Sequence, residues 1–108
     1  MSQISTHILD TALGRPAADV RVDLLDDHGV LIASGLTDSD GRVSALGPDR
    51  LDAGTYRLSF ASGPYFARTG RETFYPVVTI DFQVADSEQH YHVPLLISPF
   101  AYSTYRGS

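Results

Sequence analysis

An all-β sandwich of two sheets with one short helix is the fold class this sequence predicts. Short runs of alternating apolar and polar residues recur at intervals of about ten residues, the spacing of sandwich strands. Turn-forming residues punctuate them, as in Asp26-Asp27-His28-Gly29 and Asp38-Ser39-Asp40-Gly41. A single segment, residues 63–70, has room for a helix of about two turns at a rise of ~1.5 Å per residue. The 108 residues are read as one domain, 1–108, long enough for one core.

Residues 4–9 read as the first strand, closed by Asp10 and by a turn region over 11–16 where Gly14 and Pro16 interrupt any ladder. Residues 20–24 alternate with period two, and 30–37 return after the turn at 26–29 as the second arm of a hairpin. The turn at 38–41 leads into a short strand over 42–46, and a loop around Gly47-Pro48-Asp49-Arg50 precedes a strand over 54–60. Beyond the helix, Val78, Ile80, Phe82 and Val84 alternate with Thr79, Asp81 and Gln83. Strands over 89–97 and 101–106 complete the chain, about seven or eight in all.

Composition removes several function classes. A formal charge of −5 leaves no basic stripe for nucleic acid. All eight basic residues are arginine, which suits planar recognition of carboxylate and amide-like groups; a compositional preference for Arg accounts for most of them. No apolar run approaches the ~18 residues that cross a bilayer, so no membrane partner is expected. The opening residues have neither a basic nor an apolar leader region, so a cleaved secretory signal is not expected. Without cysteine there is no disulfide framework or thiolate metal site, and the cytoplasm is the expected compartment. His90-Tyr91-His92 is the closest pair of possible metal ligands, and no second cluster completes a set, so no metal is expected. Phosphate-cradling loops and a Gly-x-Ser-x-Gly elbow are also missing.

Strand residues two apart share a face. With Tyr91, Val93, Leu95 and Ile97 inward, His90, His92, Pro94 and Leu96 point out; with Ile8 in the core, His7 and Leu9 point out too. Ala101, Ser103 and Tyr105 share a face of the last strand. One outer face is therefore expected to carry His7, Leu9, His92, Pro94, Leu96, Ser103 and Tyr105. Imidazoles among apolar groups suit a small-molecule site. An open sheet face does not enclose a ligand, so a second subunit is expected to supply the opposite wall. His28 reads as a turn residue, and His90, beside the strand end, leans towards a structural role. The final Tyr102-Ser103-Thr104-Tyr105-Arg106-Gly107-Ser108 concentrates hydrogen-bonding groups where small domains are usually loose, and is expected to be pinned into a site.

Several strings carry a resemblance: Ser5-Thr6-His7-Ile8-Leu9-Asp10, Gly14-Arg15-Pro16-Ala17, Thr37-Asp38-Ser39-Asp40-Gly41-Arg42, Gly54-Thr55-Tyr56 and Glu72-Thr73-Phe74-Tyr75-Pro76. They continue with His90-Tyr91-His92-Val93-Pro94-Leu95-Leu96, Ser98-Pro99-Phe100 and the ending Tyr105-Arg106-Gly107-Ser108. Over nearly its whole length the chain resembles the transthyretin-related 5-hydroxyisourate hydrolases, and the ending is the most specific mark. Transthyretin itself shares the fold and the Ser-Pro turn but lacks that ending and the two histidines.

The resemblance implies a transthyretin-like (prealbumin-like) sandwich assembled as a homotetramer, a dimer of dimers, with sites in the channel between dimers. It implies hydrolysis of 5-hydroxyisourate, the product of urate oxidation, to 2-oxo-4-hydroxy-4-carboxy-5-ureidoimidazoline in purine breakdown. Water attacks a ring carbonyl, with no cofactor or metal. The family's catalytic positions fall on His7, Arg42, His92 and Ser108, with Tyr105, Arg106 and Gly107 as the substrate-binding remainder of the motif. The chemistry suits those residue types. Imidazole titrates near ~6.5 and can take a proton from water near neutrality. The Arg42 fork can stabilise charge on a carbonyl oxygen, and Ser108 can hold substrate or water while its carboxylate orients an imidazole. One histidine is expected to be the base and the other to fix tautomer or substrate; which is which stays open. Two rival readings are a transthyretin-like carrier of a small aromatic ligand and an immunoglobulin-like adhesion module. Two imidazoles and an arginine converging in one channel argue against the first, and the missing Cys pair against the second.

Overall fold

The alternation becomes two layers because period two places every second side chain on one face of a strand. The computed structural model describes residues 2–108. Among them run β1 (Ile4–Asp10), β2 (Arg15–Pro16), β3 (Arg21–Asp26), β4 (Leu31–Leu36), β5 (Arg42–Val43) and β6 (Gly54–Phe60). The helix α1 (Ser62–Arg68) follows, then β7 (Val78–Val84), β8 (Tyr91–Ser98) and β9 (Ala101–Thr104). One sheet has the order β2-β1-β8-β9 with β5 also on β1; the other has the order β4-β3-β6-β7. This is the two-sheet sandwich that the sequence predicts. Ile4, Ile8, Tyr91, Val93, Leu95 and Ile97 of the first sheet meet Val22, Leu24, Leu58, Phe60, Ile80 and Val84 of the second, and all are buried.

Local chemistry sets the turns. The Asp26 carboxylate accepts hydrogen bonds from the backbone N–H of His28 and Val30, at 2.8 and 2.9 Å. Asp38 does the same for Asp40 and Arg42, at 2.9 and 3.0 Å. Such aspartates substitute for the next turn of backbone bonding and reverse the chain in few residues. The helix is short because Gly70 at φ 69° stops it with a left-handed residue. It buries Ser62, Tyr65 and Phe66 against the sandwich.

The expected β6 and β7 coincide with the observed strands, and the helix lies one residue earlier at its start. Other elements differ for identifiable reasons. There are nine strands among the described residues rather than seven or eight, because Arg15–Pro16 pairs with Leu9 and Asp10 inside the expected turn. Proline survives there because the two-residue strand is at a sheet edge. β5 shrinks to two residues because the chain turns inward after Val43 and buries Leu46. β1 gains Asp10, whose side chain is fully buried.

That carboxylate is satisfied on every side. Tyr65 Oη donates to Oδ2 at 2.6 Å, Arg71 Nη2 to Oδ2 at 2.6 Å, and the Leu13 N–H to Oδ1 at 3.1 Å. Burial alone would raise the Asp10 pKa; Arg71, Tyr65 and Leu13 outweigh it and hold the group below its ordinary value. The Arg71 guanidinium also lies 4.9 Å from the Phe66 ring centre. One buried charge thus ties the helix and the segment after it to the end of β1, the strand that carries His7.

Candidate active site

The site grows from an arrangement that alternation alone does not specify, the parallel pairing of β1 with β8. It sets Ser5 opposite His92 and His7 opposite Pro94. On the other side of β1, His7 lies opposite Arg42 of the antiparallel β5. Directly paired residues share a sheet face, so Ser5, His7, Arg42 and His92 project together from the outside of the sandwich. Their strand neighbours Thr6, Ile8, Tyr91 and Val93 are buried, as the outward reading of the two histidines requires. Gly41 holds Arg42 in place. It has φ 76°, its carbonyl accepts the Ile8 N–H at 2.7 Å, and a Cβ there would collide with the Ile8 carbonyl oxygen.

The tail comes back over this face. The Gly107 N–H donates to the His92 carbonyl at 2.8 Å, an isolated bridge outside the named strands. The approach is so close that a Cβ on Gly107 would stand 2.6 Å from His92 Cδ2. Ser108 is thereby delivered to a hollow of about 280 Å3 lined by Ser5, Thr6, Arg42, Ser44, His90, His92 and Ser108. His7 borders it through its pairing with Arg42. Two histidines and a guanidinium here act on His92. The His92 pKa is lowered, first by burial and then by Arg42, His7 and His90, all of which disfavour a second positive charge. His92 is therefore a neutral imidazole at neutral pH, able to accept a proton.

Tyr105 and Arg106 go elsewhere. β9 ends at Thr104, whose Oγ1 donates to the Pro94 carbonyl at 2.7 Å, so strand alternation does not extend to Tyr105. Both residues line a second, mostly apolar hollow of about 300 Å3 with Ile80, Phe82, Tyr91 and Val93. Arg106 lies 4.6 Å from the Tyr91 ring centre and donates to Gln89 Oε1 at 3.0 Å. The Tyr-Arg-Gly-Ser motif is thus split, with Gly107 and Ser108 at the histidines and Tyr105 and Arg106 beside them, and His92 touching both hollows. Ser103 sits opposite Leu96 on the outer face, as alternation requires.

Sequence reasoning passed over Ser5 and Ser44. Ser5 is 7% exposed, and its Oγ lies 2.8 Å from both His92 Nδ1 and His90 Nε2. Its signal is its two-residue offset from His7, legible once the β1 to β8 register is known. Among the described residues, no three His, Asp or Glu side chains form a metal-holding group.

The description "HIUase/Transthyretin family" matches residues 4–107 of this chain. The chain belongs to the HIUase/transthyretin family. Within it, the chain is 47% identical to the 5-hydroxyisourate hydrolase of Caulobacter vibrioides, covering 100% of both. The structure of Klebsiella pneumoniae 5-hydroxyisourate hydrolase superposes with a TM-score of 0.90 at 43% identity, covering 97% of this chain and 98% of that one. Sea bream transthyretin in complex with thyroxine superposes equally well, TM-score 0.90, at 31% identity and 97% and 94% coverage. Backbone shape is common to the hydrolase and transthyretin branches of the HIUase/transthyretin family, so the side chains on the outer face must separate them.

Proposed function

We propose that this protein hydrolyses 5-hydroxyisourate to 2-oxo-4-hydroxy-4-carboxy-5-ureidoimidazoline in urate breakdown. The observation that carries the reading is the convergence of His7, Arg42, His92 and Ser108 at one outer sheet face. Its support is the likeness to relatives bearing the hydrolase name. His92 Nδ1 is engaged by Ser5, which leaves Nε2 to take a proton from water as it attacks a ring carbonyl. Arg42 directs its donors at the oxygen where negative charge develops. His7 orients the substrate or the attacking water, and Ser108 closes the hollow from the tail. The C–N bond then breaks, the nitrogen leaves protonated, and the carbonyl carbon becomes a carboxylate. Tyr105 and Arg106 support substrate binding through the neighbouring hollow.

A face this open suits enclosure by a second copy, and we place the site between dimers of a homotetramer. The hydrolase needs no metal or cofactor in this scheme, and the cysteine-free chain suits the cytoplasm. The deciding assay follows freshly generated 5-hydroxyisourate by absorbance, with and without the protein. Accelerated decay that His92→Asn abolishes supports the reading. Unchanged decay with the fold intact moves the carrier reading forward, to be tested by titration with small aromatic ligands.

A further inference from the structure

Ring opening produces a proton that must leave the pocket. Water adds to the carbonyl carbon and the C–N bond breaks; one water proton ends on the departing urea-type nitrogen. The other product is a carboxylic acid, ionised at neutral pH because its pKa is near ~4. A urea nitrogen is too weak a base to hold the second proton. Each turnover therefore yields a carboxylate, a neutral urea nitrogen and one proton. His92, which takes a proton from water, must lose it before the next cycle.

We propose that Ser5 is a positioning residue that links His92 to His90 and relays a proton between the ring and solvent within each turnover. The inference rests on the hydrolase reading above. Ser5 Oγ lies 2.8 Å from His92 Nδ1 and 2.8 Å from His90 Nε2. A hydroxyl has one proton, so between two ring nitrogens it donates to one and accepts from the other. For His92 Nε2 to be the base, His92 Nδ1–H must donate to Ser5 and Ser5 must donate to His90 Nε2. The serine thus selects the tautomer that exposes the reactive lone pair. When Nε2 gains its proton, Nδ1 passes one to Oγ, Oγ passes one to His90 Nε2, and His90 gives up its Nδ1 proton to water. As the C–N bond breaks, Nε2 hands its proton to the departing nitrogen while the chain runs back and returns one to Nδ1, which restores the starting tautomers. The product acid releases the turnover's proton.

Burial supplies direction to the relay. Ser5 is 7% exposed and His92 half-buried, whereas His90 is exposed. Arg42 on β5, His7 on β1 and His90 beyond Ser5 each disfavour a lasting charge on the His92 ring. Ser108, the last residue of the chain, lines the same hollow, and Asp81 and Tyr105 line the neighbouring one. From the tail, Arg106 bonds Gln89 rather than either imidazole. The two-residue spacing of His90 and His92 suits one sheet face, with Ser5 reaching both from the neighbouring strand.

The test uses the full chain as wild type, Ser5→Ala and His90→Gln, assayed on 5-hydroxyisourate at low and high imidazole concentration. In dilute buffer both variants should lose roughly tenfold in kcat with KM little changed, less than the ~10²-fold or more expected for loss of the base itself. High imidazole should restore the rate by taking the proton directly. Wild-type kcat in either variant in dilute buffer, or a loss that imidazole leaves untouched, would overturn the relay. A wild type that does not speed decay would instead remove the hydrolase reading. The serine's part is then still read by nitrogen NMR of the His92 ring. The Nδ1–H tautomer should dominate in the wild type and give way to Nε2–H in Ser5→Ala; a tautomer indifferent to the substitution overturns it.

Discussion

Gly107 is the residue at which the backbone of the tail meets His92. With a Cβ 2.6 Å from His92 Cδ2, Gly107→Ala should push the imidazole off its position and lower kcat at least tenfold, as small displacements of catalytic groups do. Thermal melting should hardly move, since the bridge lies at the rim; a full-rate Gly107→Ala enzyme would remove the tail from the site. His92 itself predicts a pH profile. Its pKa lies below the ordinary 6.5, so the proposed base stays neutral to lower pH, and the acid limb of kcat/KM should have its midpoint below pH 6.5. The stability sign follows. Between the folded and unfolded pKa values the unfolded chain binds more protons, so stability falls as pH drops below 6.5. His92→Asn should flatten that slope in urea melts. The outward placement of His7 and His92 was legible from strand phase, and the place of Arg42 beside His7 only from the family likeness. Ser5 was not, because a serine in a strand looks the same whether it faces water or two imidazoles.

At the scale of elements, the Asp10 network is the most consequential contact outside the site. Arg71→Met leaves a buried carboxylate without its charge partner, a change that costs about 3–5 kcal/mol, to be read as a shift in urea midpoint at unchanged slope. Asp10→Asn combined with Arg71→Met should lose less than the two single changes summed, since they share one interaction. The acid behaviour has a definite sign. The folded carboxyl titrates below its ordinary 3.8, so its stabilisation is complete above that value and is lost as pH falls through the folded pKa. Arg71→Met should weaken that acid dependence. Alternation made β6 and β7 legible to the residue, because both are long and half-buried. It could not reveal the two-residue β2, nor that Asp10 continues β1, since aspartate beside a Gly-Pro turn reads as a stop. The burial of that charge depends on Arg71, 61 residues away.

For the whole molecule, the prediction concerns assembly. Phe74 is 72% exposed and Phe100 67% exposed. Both lie at the end where Thr73 Oγ1 and the Phe74 N–H bond the Pro99 carbonyl, at 2.7 and 2.9 Å. Exposed aromatic groups of this kind suit a subunit contact. If the site is completed by a second copy, activity per subunit should fall as the protein is diluted through its dissociation range, in step with the sedimentation coefficient. Phe100→Glu should move that range to higher concentration. A small species that turns over substrate at full rate would show that one chain suffices. The number of layers, the strand count to within two, the outward histidines and the β3–β4 hairpin could all be read from the chain. The pairing of strands far apart in sequence, β1 with β8 above all, could not, because it is settled by packing across the core.

The parallel neighbours β1 and β8 also govern when the protein becomes competent. Thr6 Oγ1 donates to the Val93 carbonyl across a sequence separation of 87, and every functional group lies on one of those two strands or on segments held against them. Closing so long a loop is entropically costly before any contact rewards it, and folds dominated by such pairings form on the millisecond-to-second scale. The local hairpin of β3 and β4 can form far earlier. During refolding, the far-ultraviolet signal should thus run ahead of enzymatic activity, and recovery of turnover will time the meeting of the two ends of the chain.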